Sequence, residues 1–419
     1  MNNKRVIVIG AGASGYFSAI RIKELNPEIE VVLLEKTGKT LAKLRISGGG
    51  RCNVTHDCRS NALLLTQYPR GRSFLKKVFK RFSVSHTIDW FLANGVALKT
   101  EVDGRMFPIT NSSETVAEAL EFRARKLGVD LRLLSSVVTI IPLSKDGFYA
   151  WQVNCNSGTN EMANAVVLAI GGFPKEAQYN MIKQLNINII KPVPSLFTFN
   201  ISDAYLHEMH GLSVMDARIK LQGFDETYNG PLLITHWGIS GPAVLKTSAW
   251  GARWMNEKNY ETTVYVSWLN KTEDEMRLFL QNAIIQNTKK MLENLYLEGI
   301  PRRLWEFVIL RAGVLGSKIS CELSKYEFNK IIENLLRMPF EIDGKTSFKE
   351  EFVTAGGIDL AEINPETMEM RKHPGLYATG EILDIDGVTG GYNFQAAWST
   401  AAIVSESIAK IKDKASSIP

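Results

Sequence analysis

The chain has 419 residues, 45% of them apolar and 22% charged, the balance of a soluble globular protein with room for two or three domains and a sizeable core. No stretch reaches the ~20 consecutive apolar residues that a membrane span needs, and Met1 to Arg5 leads into the first strand without the apolar run of a secretory signal, so no membrane partner and a cytoplasmic location are expected. The net charge of +5 is too small by itself to imply a nucleic-acid partner, and the four cysteines, Cys52, Cys58, Cys155 and Cys321, lack CxxC or zinc-type spacing, which argues against a disulfide framework and against a metal site.

Arg5 to Ile9 is β-branched and apolar, as a buried parallel strand should be, and Ser14 to Leu25 has helical spacing until Asn26-Pro27 breaks it. Between them stands Gly10-Ala-Gly12-Ala-Ser-Gly15, and Val31 to Leu34 forms a second apolar run ending in Glu35. This is a dinucleotide-binding βαβ unit. Gly10 makes the tight turn, Gly12 lets backbone amides approach a pyrophosphate at the helix N-terminus, Gly15 permits close helix packing, and Glu35 accepts from ribose hydroxyls.

A second cluster follows at Lys43 to Asn53. Glycine costs backbone entropy on folding, so Gly48-Gly49-Gly50 is best explained by close approach of the main chain to a flat or phosphorylated ligand, with Lys43 and Arg51 supplying positive charge and Ser47, Cys52 and Asn53 short polar contacts. Arg70 to Phe82 carries six basic residues and no acid. On a helix its Phe74, Leu75, Val78, Phe79 and Phe82 share one face, and Lys76, Lys77, Lys80 and Arg81 the other. That basic face is either simply solvated or displayed to a phosphate backbone, with Arg302, Arg303 and Arg311 as a possible extension. Arg105, in Asp103-Gly-Arg-Met-Phe107, either anchors an anionic or carbonyl group of a substrate or closes a structural salt bridge.

Val166 to Ala169 is another buried strand, ending in Gly171-Gly172, and Lys191 to Pro194 reads as a linker. Short β-like runs, among them Ala217–Leu221 and Thr262–Ser267, then alternate with turns to about Leu269. A capping box at Thr272 to Glu275 opens a helical stretch that runs to about Met338, broken at Gly299-Ile-Pro301, and the chain returns to the dinucleotide domain near Phe352. Near the C-terminus, Pro374 to Glu381 reads as a short strand ending in Gly380-Glu381, and Gly390-Gly391 precedes a helix rich in small residues. Such a helix would turn its N-terminal amides toward the negative charge of a reduced flavin ring. With the N-terminal fingerprint, this makes a flavin the favoured ligand.

Ile46 to Thr55, Glu101 to Pro108, Thr235 to Pro242, Thr354 to Ile358 and Thr379 to Gly387 together resemble the aminoacetone-oxidase-like FAD-binding family, over nearly the whole chain. The resemblance implies an α/β fold, a two-segment Rossmann-like FAD domain with an inserted β-rich domain and a small helical domain. It divides the chain into a first FAD segment at 1–190, a β-rich domain at 191–270, a helical domain at 271–340, and a return through the β-rich domain and second FAD segment at 341–419. It adds Ala13, Ser14, Lys36, Val138, Ala169, Gly171, Gly380, Glu381, Gly391, Tyr392 and Asn393 to the cofactor contacts. Leu41-Ala42 stand where the family often has a glycine followed by a basic residue.

Activities of the family include reduction of conjugated double bonds in bile-acid intermediates, oxidation of aminoacetone, and formation of dihydrouridine in large-subunit ribosomal RNA. Three readings follow. The first is an FAD-dependent reductase fed by NAD(P)H, with a uracil in ribosomal RNA as the favoured substrate and a small conjugated carbonyl compound as the alternative. The second is an oxidase of small amines, and the third a flavin-bound RNA-binding or redox-sensing protein. Only one convincing GxGxxG is present, so a nicotinamide would dock transiently. His236, in Thr235-His-Trp-Gly, and Cys52 are the candidate proton donors, each with a structural alternative: a satisfied histidine, and a cysteine packed beside the cofactor.

Overall fold

A computed structural model describes residues 4–145, 148–346 and 353–410. They form two compact units. One takes the described residues up to Pro194 and from Val353 onward, the other Ser195 to Thr346.

The first unit is built on a parallel sheet of five strands in the order Leu376–Ala378, Ala165–Leu168, Arg5–Ile9, Glu30–Leu34, Asp130–Arg132. Val6 to Ile9 are at most 5% exposed, so this β-branched segment occupies the centre of the sheet, where both faces are covered. The helix Ala13–Leu25 packs on the C-terminal helix Tyr392–Ala409, and Ser405 Oγ donates to the Ser18 carbonyl at 3.2 Å where the two helices meet. A three-stranded antiparallel sheet, Val137–Lys145, Phe148–Cys155 and Asn160–Ala163, leads into Ala165–Leu168. A smaller one pairs Thr55–His56 and Leu98–Thr100 with Arg105–Pro108.

Lys191 to Pro194, expected as a linker, lies within the strand Ile189–Ser195, paired in a two-stranded sheet with Val353–Ile358. Prolines are tolerated in so small a sheet because no second neighbour needs their missing N–H groups. Gly356 makes the approach possible: a Cβ there would lie 2.5 Å from the Lys191 carbonyl oxygen. Phe352 lies outside the described residues.

The second unit is a closed antiparallel barrel of six strands: Thr198–Asn200, Gly238–Ser240, Thr227–Thr235, Ser213–Leu221, Glu261–Ser267 and Met338–Thr346. The helices Glu273–Ile285, Arg302–Arg311 and Lys325–Arg337 stand between its last two strands in sequence. The first opens on the expected capping box, with the Glu275 amide donating to Thr272 Oγ1 and the Thr272 amide to the Glu275 carboxylate. Barrel residues Ile219, Leu232, Val264 and Phe340 and helix residues Met276, Leu280, Trp305 and Ile331 belong to a single apolar cluster. Barrel and helices are therefore one folded body, bound by shared burial.

Candidate active site

Strand Arg5–Ile9 delivers Gly10 at φ +105°, where L side chains are strained, and a Cβ there would also sit 2.5 Å from the Ala169 carbonyl oxygen. Gly15 is required by packing: its Cβ would lie 1.8 Å from the Gly10 oxygen. Gly12 is different, because a Cβ there would meet nothing within 4 Å. The first turn of the helix thus faces open space. The amides of Gly12, Ala13 and Ser14 and the Ser14 hydroxyl have no hydrogen-bond partner among the described residues, and no acid stands in that turn. Orphan donors at the positive end of a helix dipole are an anion site.

Glu35, directly after Glu30–Leu34, is held in place by three donors. Its Oε2 accepts from the Ala11 amide at 3.1 Å, and its Oε1 from the Thr37 amide and hydroxyl at 2.9 Å each. A carboxylate offers about four acceptor positions, so Oε2 keeps one open.

The second glycine cluster ends the helical stretch Ala42–Gly50, which leaves helical geometry at Ser47, Gly48 and Gly49. Its glycines divide in two. A Cβ on Gly48 would press on the Phe107 ring at 3.0 Å, a packing constraint, whereas at Gly49 and Gly50 nothing lies within 4 Å. Ser47 turns its hydroxyl inward, donating to the Leu44 carbonyl at 2.7 Å. The expected positive charge here is largely neutralised. Arg51 pairs with Glu101 at 2.6 Å and lies over the Phe107 ring, and Lys43 pairs with Glu381 at 2.9 Å.

The facing wall comes from the C-terminal segment. The helix Tyr392–Ala409 has no capping side chain and no acid in its first turn, and the amides of Tyr392, Asn393 and Phe394 find no acceptor among the described residues. A Cβ on its N-cap, Gly391, would strike the Thr55 carbonyl at 2.6 Å, so glycine is needed for this helix end to sit against Asn53 to Thr55. Three buried hydrogen bonds fix the arrangement: Thr55 Oγ1 to Gln395 at 2.6 Å, Trp398 Nε1 to the Val54 carbonyl at 3.0 Å, and Thr379 Oγ1 to Thr400 Oγ1 at 2.8 Å. Asn393 closes the loop before it by bonding both the N–H and the C=O of Gly387. Glu381 accepts from the Thr354 amide at 3.0 Å, while Thr354 Oγ1 is buried without a partner.

Open amides at two helix starts, four glycines whose missing side chains leave free space (Gly12, Gly49, Gly50 and Gly171), and an unsatisfied hydroxyl fit a flavin dinucleotide lying along these segments. Comparison with known proteins agrees. Residues 4–407 match the HI0933-like protein Rossmann domain family. The chain belongs to that family. It is 30% identical over 413 residues to the ribosomal RNA dihydrouridine synthase of Haemophilus influenzae, covering 96% of this chain and 98% of that one. It is 28% identical to the enzyme of the same name from Escherichia coli, over 94% and 95%. The 3-dehydro-bile acid delta(4,6)-reductase of Clostridium scindens is 27% identical, over 97% and 99%. In fold it is similar to the 3-ketosteroid-delta4-(5alpha)-dehydrogenase of Rhodococcus jostii RHA1, with a TM-score of 0.52 at 13% identity over 97% of both chains. This HI0933-like protein is an FAD-dependent oxidoreductase.

Most of the residues singled out in the HI0933-like sequence gather around these segments. Ala169 is buried behind Gly10, and Lys36 reaches over the Phe173 ring. Val138 is half exposed on the strand Val137–Lys145. Cys52 is fully enclosed, its amide donating to the Ser47 carbonyl, and burial pushes its thiol up to about 12, the setting of a packing residue beneath the glycine turn. His236 lies in the other unit, exposed between Thr227–Thr235 and Gly238–Ser240, with its ring stacked on His210 at 4.0 Å.

Several cations are engaged by acids or carbonyls, some local and some far off in sequence. Arg105 is held by Asp103 at 2.7 Å and Glu101 at 3.1 Å, the structural of its two readings. Arg81 pairs with Glu406 and with the Glu366 carbonyl, so it does not belong to an uncompensated basic face. Arg302 pairs with Glu306, Arg311 with Asp203, and Arg303 donates to the Glu208 carbonyl. None of these extends a track of open charge. Among the described residues no helix is long and apolar enough to cross a membrane, and no group of acids, histidines and cysteines could hold a metal.

Sequence reasoning overlooked Thr354, whose orphaned hydroxyl stands beside Gly172, and the buried pair of Arg70 with Asp386, which ties the loop before the C-terminal helix to the start of the basic helix. The Thr354-Ala-Gly-Gly run was the available signal for the first. Nothing local marks the second.

Proposed function

We propose that this protein is a reductase that draws electrons from NAD(P)H and saturates a uracil of ribosomal RNA to dihydrouridine. The observation that carries this reading is the end-to-end likeness to the Haemophilus influenzae ribosomal RNA dihydrouridine synthase. Lys76, Lys77 and Lys80 support it: they are exposed on the helix Arg72–Arg81, opposite buried Phe74, Leu75, Val78 and Phe79, and make no ion pair or hydrogen bond among the described residues.

When bound, FAD would supply the hydride chemistry that links a nicotinamide donor to an electron-poor carbon. The chain's own groups bind and orient. The amides of Gly12, Ala13 and Ser14 would hold the pyrophosphate, Glu35 would hold a ribose hydroxyl, and the amides of Tyr392, Asn393 and Phe394 would favour negative charge on the flavin. One hydride and one proton together saturate the uracil double bond, so no other co-reactant is needed. A small conjugated carbonyl compound is the second reading, favoured by the likeness to the bile-acid reductase.

Anaerobic mixing of the yellow holoprotein with NADPH or NADH, followed by large-subunit ribosomal RNA lacking the modification, tests this reading. Bleaching by the nicotinamide, return of the colour on adding RNA, and a gain of two hydrogens at one uridine are expected. Colour returning only with a conjugated ketone would replace RNA by a small substrate. Bleaching by an amine and not by nicotinamides would mark an oxidase.

A further inference from the structure

The outer wall of the barrel carries a concavity of about 810 Å³ whose lining includes Arg218, Lys220 and Arg337, together with Tyr265, Asn229 and Asn270, and no acid. Its origin lies in strand alternation. In Ser213–Leu221, Ala217, Ile219 and Leu221 are buried inside the barrel, which turns Arg218 and Lys220 outward from the same strand. Arg218 stands in register with Asn229 on one side and Ser267 on the other, and Lys220 with Thr227 and Tyr265. Their Cα atoms are therefore about 6.7 Å apart along one strand, a pleat repeat, and the two side chains are flanked by neutral hydrogen-bonding ones.

Neither has an acidic partner among the described residues, although several other arginines do. Arg45, Arg51, Arg81, Arg132, Arg277 and Arg311 each pair with a carboxylate. Arg218, by contrast, donates only to the Lys271 carbonyl, at 3.4 Å, and Lys220 has no partner among the described residues. Arg337 lies 4.7 Å over the Tyr265 ring and ends the helix Lys325–Arg337, where its charge offsets the negative end of the dipole. Most of the positive field thus comes from Arg218 and Lys220.

We infer that this concavity binds the phosphodiester backbone of single-stranded RNA, with Arg218 and Lys220 taking phosphates and Asn229, Asn270 and Tyr265 meeting the bases and sugars. The inference rests on the reading of RNA as the substrate. Long cationic side chains interleaved with an aromatic ring and amides are how proteins hold unpaired strands. A dinucleotide is instead taken by a glycine-rich turn opening a helix, and no helix start lines this wall.

The test compares wild-type holoprotein with Arg218→Gln/Lys220→Gln in binding a short fluorescein-labelled oligouridylate, by anisotropy across a salt series. Affinity should fall by on the order of tenfold, and the salt slope should flatten by about 1.4, or about 0.7 for each phosphate no longer neutralised. The flavin spectrum and the rate of bleaching by NADPH should stay as in wild type. Lys220→Gln alone, at an exposed side chain without a partner, should flatten the slope by about 0.7 and keeps the test decisive if the double variant misfolds. RNA binding by wild type with unchanged affinity and slope in the variants would overturn this site and leave the substrate reading standing. No RNA binding by wild type would overturn both. Slower NADPH bleaching with RNA affinity retained would assign the concavity to the dinucleotide and overturn the inference.

Discussion

The two units make their surfaces in opposite ways. In the parallel-sheet unit the site consists of side chains that are missing: Gly12, Gly49 and Gly171 open space, and unpaired amides at two helix starts provide the polarity, while Lys43, Arg51 and Arg105 are held by Glu381, Glu101 and Asp103. On the barrel it consists of side chains that are present: Arg218, Lys220 and Tyr265 project from regular strands whose backbone is consumed by the ladder. Backbone donors cannot move away from a ligand and cost little to organise, which suits a resident cofactor. Long cations adapt to a ligand that comes and goes.

The sharpest way to break this contrast lies in the first turn. Gly12→Asp should abolish FAD binding while leaving the fold intact, because Gly12 has φ −87°, its Cβ enters open space, and Asp is a favourable N-cap residue. The carboxylate would stand where the pyrophosphate belongs. Gly15→Ala should do the reverse, lowering the stability of the apoprotein by about 1–3 kcal/mol or more through a Cβ 1.8 Å from the Gly10 oxygen. Paired measurements of flavin content and apoprotein melting check both. A Gly12→Asp protein that keeps its flavin, or that melts as Gly15→Ala does, would mean the glycines are there for packing alone.

A smaller effect is expected at Glu35. Its replacement by Ala removes the acceptor left on Oε2 and frees the Ala11 and Thr37 donors that it holds, so FAD should bind more weakly by about 1–3 kcal/mol. Titration of the apoprotein with FAD measures the decrease. An unchanged affinity would show that Glu35 organises the loop without touching the cofactor.

Why one half of the molecule was readable and the other was not follows from the same contrast. The strand Arg5–Ile9, the turn at Gly10 to Gly15 and Glu35 lie within one short segment, and glycine identity reports backbone geometry directly. The amphipathic helix at Arg72–Arg81 was equally visible from its spacing. Ion pairing was not: Glu406 meets Arg81 and Asp386 meets Arg70 across more than three hundred residues, and a basic run carries no sign of the acids that will neutralise it. The barrel concavity was hidden for the same reason, since Arg218, Tyr265 and Arg337 come from three separate elements with no motif between them. Lys191 to Pro194 misled because proline pairs usually interrupt strands, whereas a two-stranded sheet accommodates them.

The smallest expected effect concerns the basic helix. Arg81 belongs to the structure through Glu406, so the displayed charge reduces to Lys76, Lys77 and Lys80. Changing these three to Gln should leave flavin content and melting as in wild type, because Phe74, Leu75, Val78 and Phe79 do the docking on the opposite face. If the helix faces RNA, each phosphate left without its lysine should flatten the salt dependence of binding by about 0.7 to 0.9, the higher figure for duplex and the lower for single strands. The magnitude of the change would then report which form of RNA this face meets. Turnover of a small conjugated ketone should be untouched, since none of the three lysines lies among the glycine and amide groups of the flavin site. An RNA affinity and slope equal to wild type would make this an ordinary solvated face and leave the barrel wall as the surface that receives the strand.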